Sequence, residues 1–128
     1  MNRIFYVFLG GGAGSVARYL TAIAAERMLG PRFPFGTLTV NLVGCFLIGA
    51  IHGIAMLSAR ISPDARLFLT TGVLGGLTTY SAFNYEALRL FEQGATARAS
   101  LYAAATILGC AGAGVLGMWT ARTFVESM

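Results

Sequence analysis

The 128-residue chain contains no lysine, and its charged residues amount to only 11% of the total. A soluble domain carries about 25% charged residues. A water-soluble globular fold is therefore excluded, and with 56% hydrophobic residues and a mean hydropathy of +0.71 the chain reads as an integral membrane protein. The formal net charge of +4 rests on arginine alone. Those arginines are scattered over short loops and form no basic stripe, which excludes nucleic acid as a partner. With two cysteines and one histidine, the chain is also poor in metal ligands. Cys45 and Cys110 fall inside apolar runs, where free cysteine behaves as a small buried hydrophobe. A disulfide or a metal site would need partners that the chain lacks. The lone His52 reads as a packing or interfacial residue. No nucleophile–base pair is present, so an enzyme is not expected.

What the chain has is four apolar runs and almost nothing else, giving one all-α, four-span membrane domain over residues 1–128. The spans are expected near 4–25, 37–57, 66–90 and 99–124. The start Met1-Asn2-Arg3 before an apolar run resembles a signal peptide. However, Gly10-Gly11-Gly12 and Arg18 interrupt the run before any cleavage site, and its removal would leave an odd number of spans. It is read as retained. Gly10 and Gly14 in the first span, and Gly49 and Gly53 in the second, form pairs that allow close helix approach. The fourth span carries Gly109, Gly112, Gly114 and Gly117 to the same end. Pro31 and Pro34 break the first loop, while Ser62 and Pro63 read as the cap and first residue of the third span.

The third span is anomalous. Its centre reads Thr70-Thr71-Gly72-Val73-Leu74-Gly75-Gly76-Leu77-Thr78-Thr79-Tyr80-Ser81-Ala82-Phe83. Glycine disfavours helix by about 1 kcal/mol relative to alanine, and threonine hydroxyls compete for backbone hydrogen bonds. A break is expected there. Non-helical backbone at membrane depth is tolerated only against protein or a polar cavity, and such breaks recur at ion and substrate sites.

Four spans place both termini on one side of the membrane, together with Arg3, Arg60, Arg66 and Arg122. Arg27, Arg32, Arg89 and Arg98 lie on the other side, and Arg18 lies within a span. Orientation follows the excess of basic residues in cytoplasmic loops. Here the excess is zero, so the chain is expected to insert both ways and to pair as an antiparallel homodimer.

Span direction also decides which residues share a depth. Asn41, Phe83, Glu86, Tyr102, Thr106 and Arg18 all fall in the half of the membrane away from the termini. Asn, Thr and Tyr supply hydrogen-bond donors, and an aromatic ring has a positive edge. That chemistry suits a small, strongly hydrated anion, although Phe83 and Tyr102 also read as core aromatics. Arg18 either snorkels to the interface or lends positive potential to an aqueous vestibule. Glu86 pairs with Arg18, caps the third span, or serves a proton or ion step.

Gly36-Thr37-Leu38-Thr39-Val40-Asn41-Leu42, the Thr71–Phe83 stretch and Gly14-x-x-x-Arg18 closely resemble the signatures of the Fluc (CrcB) fluoride channels. The resemblance runs through all four spans in order. It implies a passive, fluoride-selective channel of the bacterial inner membrane that relieves fluoride toxicity, working as an antiparallel dimer with two pores. It further implies a structural sodium ion at the dimer centre, held by backbone carbonyls that here belong to Gly75 and Thr78. The family's fluoride pathway carries over to Asn41 as donor, Phe83 as a ring-edge site, Tyr102 and Thr106 on the fourth span, Arg18 at the vestibule and Glu86 near the pore. Two positions depart from the pattern. Tyr80 stands where the family has a second phenylalanine, and Cys110 where a further hydroxyl of the polar track is expected. The alternative class is a small dual-topology, proton-coupled multidrug transporter, which shares size and charge balance but carries its buried glutamate in the first span. A non-transporting scaffold is a third class.

Overall fold

Each helix boundary follows from a local signal. The computed structural model describes residues 2–58 and 60–128. Met1, the first residue of the run read as retained, lies outside them. Helix α1 (Arg3–Leu29) is capped by Asn2, whose side chain accepts from the Ile4 N–H at 3.1 Å. It ends where Gly30 takes a φ of +81°, a conformation glycine adopts without the penalty a Cβ brings. Helix α2 (Phe35–Leu57) starts directly after Pro34. The expected Ser62–Pro63 start is present: the Ser62 hydroxyl accepts from Ala65 N–H at 3.2 Å at the head of α3 (Pro63–Leu67). A π-helical segment (Phe68–Leu74) and a single short turn, α4 (Gly75–Leu77), follow. After the break come α5 (Tyr80–Glu92) and α6 (Thr96–Glu126), joined around Gly94 at a φ of +75°. The described residues contain no strand.

Helices α1, α2 and α6 are each long and apolar enough to cross a membrane. They turn Ile4, Phe8, Leu108 and Trp119 outward, a surface that water would not tolerate and lipid does. This is a membrane protein. Helices α1 and α6 run a few residues beyond the expected spans, α1 because nothing breaks it until Gly30, while α2 starts two residues early and ends at Leu57 as expected.

The third apolar run is interrupted, but not where its glycines suggest. Gly72, Gly75 and Gly76 remain helical, and the chain becomes extended at Thr78 (φ −82°, ψ 154°) and Thr79 (φ −156°, ψ 116°). The glycines serve packing instead. A Cβ on Gly14 would run into the Val73 carbonyl, and one on Gly76 into that of Gly11, so α1 lies backbone to backbone against the π segment and α4. Helix α2 lies against α6 in the same way, a Cβ on Gly117 meeting the Phe46 carbonyl. Because backbone atoms cannot rotate aside, Gly117→Leu should force the two helices apart. Overpacking of this kind costs about 1–3 kcal/mol or more. A thermal melt in detergent should show the midpoint lowered by several degrees, whereas Gly112→Leu, where a Cβ meets nothing within 4 Å, should leave it unchanged.

Candidate functional site: a clamped helix break and a polar, aromatic pathway

At the break, both backbone groups of Thr79 are held by one side chain. Asn41 is buried on α2, and its Oδ1 accepts from the Thr79 N–H at 2.8 Å while its Nδ2 donates to the Thr79 carbonyl at 3.0 Å. The carboxamide thus imitates a strand partner for one extended residue. In an uninterrupted helix the Thr79 N–H would bond the Gly75 carbonyl. Given to Asn41 instead, it leaves that carbonyl without its helical partner. The Thr79 hydroxyl accepts from Ala82 N–H at 3.2 Å and restarts the helix as α5.

Arg18 is half-buried. Its guanidinium turns inward, and Nη1 donates to the Thr78 carbonyl at 3.3 Å. Pairing of Arg18 with Glu86 is therefore corrected. Both oxygens of Glu86 are engaged elsewhere: Oε1 accepts from the Thr37 hydroxyl at 2.8 Å and Oε2 from the Tyr102 hydroxyl at 2.7 Å. Glu86 lies mid-way along α5 rather than capping its end. The carboxylate ties α2, α5 and α6 together at one level, one turn from Asn41 on the same face of α2.

Below this node runs a column of aromatic edges. Phe83 (5% exposed) meets Tyr102 (0% exposed) with centroids 5.1 Å apart and planes at 69°. Tyr80 meets Phe83 at 5.4 Å and 68°, and Phe33 meets Tyr102 at 5.4 Å and 76°. Every one of these contacts is edge-to-face, the arrangement that offsets ring quadrupoles. Tyr80, 75% exposed, has its far side uncovered. The tyrosine that departs from the family pattern keeps the geometry of an aromatic pair.

On α6, Tyr102, Thr106 and Cys110 recur at a spacing of four and share one face. Thr106 is unlike its neighbours. Thr21, Thr70, Thr78, Thr120 and Thr123 all donate their hydroxyls to a carbonyl one turn back. Among the described residues, the Thr106 hydroxyl is buried and has no hydrogen-bond partner. A buried hydroxyl left unpaired costs about 1–3 kcal/mol. Cys110 is half-buried and lies beside the half-buried Cys45 of α2, so the two thiols, expected to be separate core residues, come together as free cysteines.

Thr37 and Phe33 belong to this site although neither motif nor depth singled them out as site residues. Thr37 could have been found from its position one turn before Asn41. Phe33 sits between the two loop prolines and carries no periodic signal.

The match to the family model for CrcB-like protein, Camphor Resistance (CrcB), extends over residues 5–118. The chain belongs to the CrcB family. A fluoride-specific ion channel FluC of Anaeromyxobacter dehalogenans is 54% identical over 110 residues, covering 86% of this chain and 87% of that protein. One from Sorangium cellulosum is 47% identical over 125 residues, covering 98% of each chain. One from Granulibacter bethesdensis is 44% identical over 126 residues, covering 98% of this chain and 99% of that protein. The residues matched by the family model include those from Arg18 on α1 to Cys110 on α6.

Proposed function

We propose that this CrcB-family protein is a passive fluoride channel in a bacterial inner membrane, returning fluoride trapped as the anion at cytoplasmic pH down the membrane potential. Kinship with proteins named as fluoride-specific channels supports this reading. The single observation that carries it on this chain is the buried, unpartnered Thr106 hydroxyl beside the Tyr102–Phe83 column. A buried hydroxyl whose proton is not committed to a carbonyl suits an anion, and fluoride is small enough to be taken up between hydroxyl, amide and ring-edge groups. Along the pathway, Asn41 has a second N–H beyond the one given to Thr79, while the Thr37 and Tyr102 hydroxyls are donated to Glu86 and hold its carboxylate beside the column.

The working unit in this proposal is an antiparallel homodimer of four-span protomers with two pores. The balanced arginines support it, and so does exposure. Thr71, Gly75, Tyr80 and Ser81 flank the break and are exposed in a single chain. Freed backbone at membrane depth cannot face lipid, so a second copy is its natural cover. The Gly75 carbonyl, relieved of its helical bond, and the Thr78 carbonyl offer hard oxygens that fit a sodium ion shared across the two-fold axis. A sodium ion there would lock the two breaks together, with Arg18 sharing the Thr78 oxygen.

Anion efflux from proteoliposomes, with fluoride compared with chloride under a potassium–valinomycin clamp, tests the function. Fast fluoride loss with negligible chloride loss is expected. Thr106→Val should slow fluoride by about tenfold, the equivalent of about 1.4 kcal/mol, while Thr106→Ser retains most of the rate. No fluoride flux from folded dimers would overturn the channel reading, and a proton-dependent flux abolished by Glu86→Gln would favour the transporter class.

A further inference from the structure

The Glu86 node opens away from the break into a cavity of about 200 Å³ where the α1–α2 loop meets the end of α5. Thr37 and Glu86 form part of its wall, so the cavity is continuous with the proposed pathway. Its other charged lining residues are Glu26, Arg32 and Arg89, all exposed. Among the described residues neither the Arg32 nor the Arg89 guanidinium has a hydrogen bond or an ion pair, although Arg98 donates to the Arg32 backbone carbonyl at 3.2 Å. Two unneutralised guanidinium groups thus border a polar opening whose neck holds a carboxylate.

An anion approaching Glu86 meets repulsion unless positive charge lies on the approach. A charge about 10 Å away shifts the local potential by about 0.4 kcal/mol in bulk water and by more beside a low-dielectric wall. We infer that Arg32 and Arg89 form an electrostatic mouth that concentrates the permeant anion at this end of the pathway and offsets the Glu86 carboxylate, with Glu26 opposing them. This inference rests on the channel reading. It assigns the two arginines to entry rate, not to ion selection, because both are exposed at the cavity rim and neither guanidinium hydrogen-bonds Asn41, Tyr102 or Thr106 among the described residues.

Fluoride efflux should be measured at about 10 mM and at about 1 M ionic strength, with an impermeant organic salt making up the difference. The Debye length falls from about 30 Å to about 3 Å between them. Arg89→Gln and Arg32→Gln should each slow efflux about two- to fourfold at low ionic strength and match the wild type at high ionic strength. Arg89→Lys should restore the rate, and Glu26→Gln should raise it at low ionic strength only. Both glutamine substitutions spare the backbone groups that hold the loop and helix end. Equal slowing at both ionic strengths, or an Arg89→Lys as slow as Arg89→Gln, would overturn the mouth in favour of a structural role. A normal rate in every variant would overturn it while leaving the channel intact. A wild-type protein that passes no fluoride at all would overturn both.

Discussion

Replacing Asn41 with alanine is expected to lower fluoride flux at least 100-fold and to destabilise the protein. The substitution removes two hydrogen bonds at 2.8 and 3.0 Å and leaves the half-buried Thr79 N–H and C=O without their side-chain partner. Each buried unsatisfied group costs about 1–3 kcal/mol. The cheapest response is for Thr79 to return its N–H to the Gly75 carbonyl and continue the helix. Closing the break in that way would rotate α5 and carry Phe83 and Glu86 out of register with Tyr102. A loss of about 2.7 kcal/mol corresponds to the 100-fold figure. Efflux measurements together with a thermal melt check this. Asn41→Asp preserves shape but replaces the donor to the Thr79 carbonyl with an acceptor, and should be no better than alanine. Full conduction in Asn41→Ala would show that the break holds without its clamp.

The second large effect concerns Tyr102 and Glu86. Tyr102→Phe keeps both edge-to-face contacts, to Phe83 and to Phe33, and removes only the hydroxyl that donates to Glu86 Oε2 at 2.7 Å. Fluoride flux should fall at least tenfold while the fold survives, since one carboxylate oxygen of Glu86 loses its hydrogen-bond donor. Charge-assisted hydrogen bonds contribute about 1.5–3 kcal/mol. Combined with Glu86→Gln, the loss should be far from additive, because the two residues share one hydrogen bond. Arg18→Gln combined with Glu86→Gln should add, since Arg18 serves Thr78 and Glu86 serves Thr37 and Tyr102. Additivity in the first pair, or strong coupling in the second, would contradict the geometry described for the node.

Much of this protein is legible in its residues. Low charge and long apolar runs determine that it lies in a membrane, because lipid tolerates only helices or closed barrels there. Ser62 and Pro63 announce their helix start, Gly30 and the loop prolines limit α1, and the four-residue spacing of Tyr102, Thr106 and Cys110 places them on one face. The family motifs by themselves point to Asn41 and Phe83. Local chemistry acts within a turn or two, so it can be read along the chain.

Tertiary structure alone decides the rest. The break falls at the threonines, not the glycines, because Gly72 and Gly76 are held helical against α1 and only Asn41, 38 residues earlier in sequence than Thr79, offers an alternative partner for a backbone N–H. Sequence allows Glu86 to pair with Arg18 or to cap its span, and in space it instead accepts from Thr37 and Tyr102, a choice that depends on how three helices rotate about their axes. Depth can be counted from the ends of a span; rotation is set by which small residues let two backbones touch. Sequence therefore determines a membrane-embedded helical chain with a weak point and a donor-rich layer. Packing determines where the weak point opens and which donor faces which acceptor.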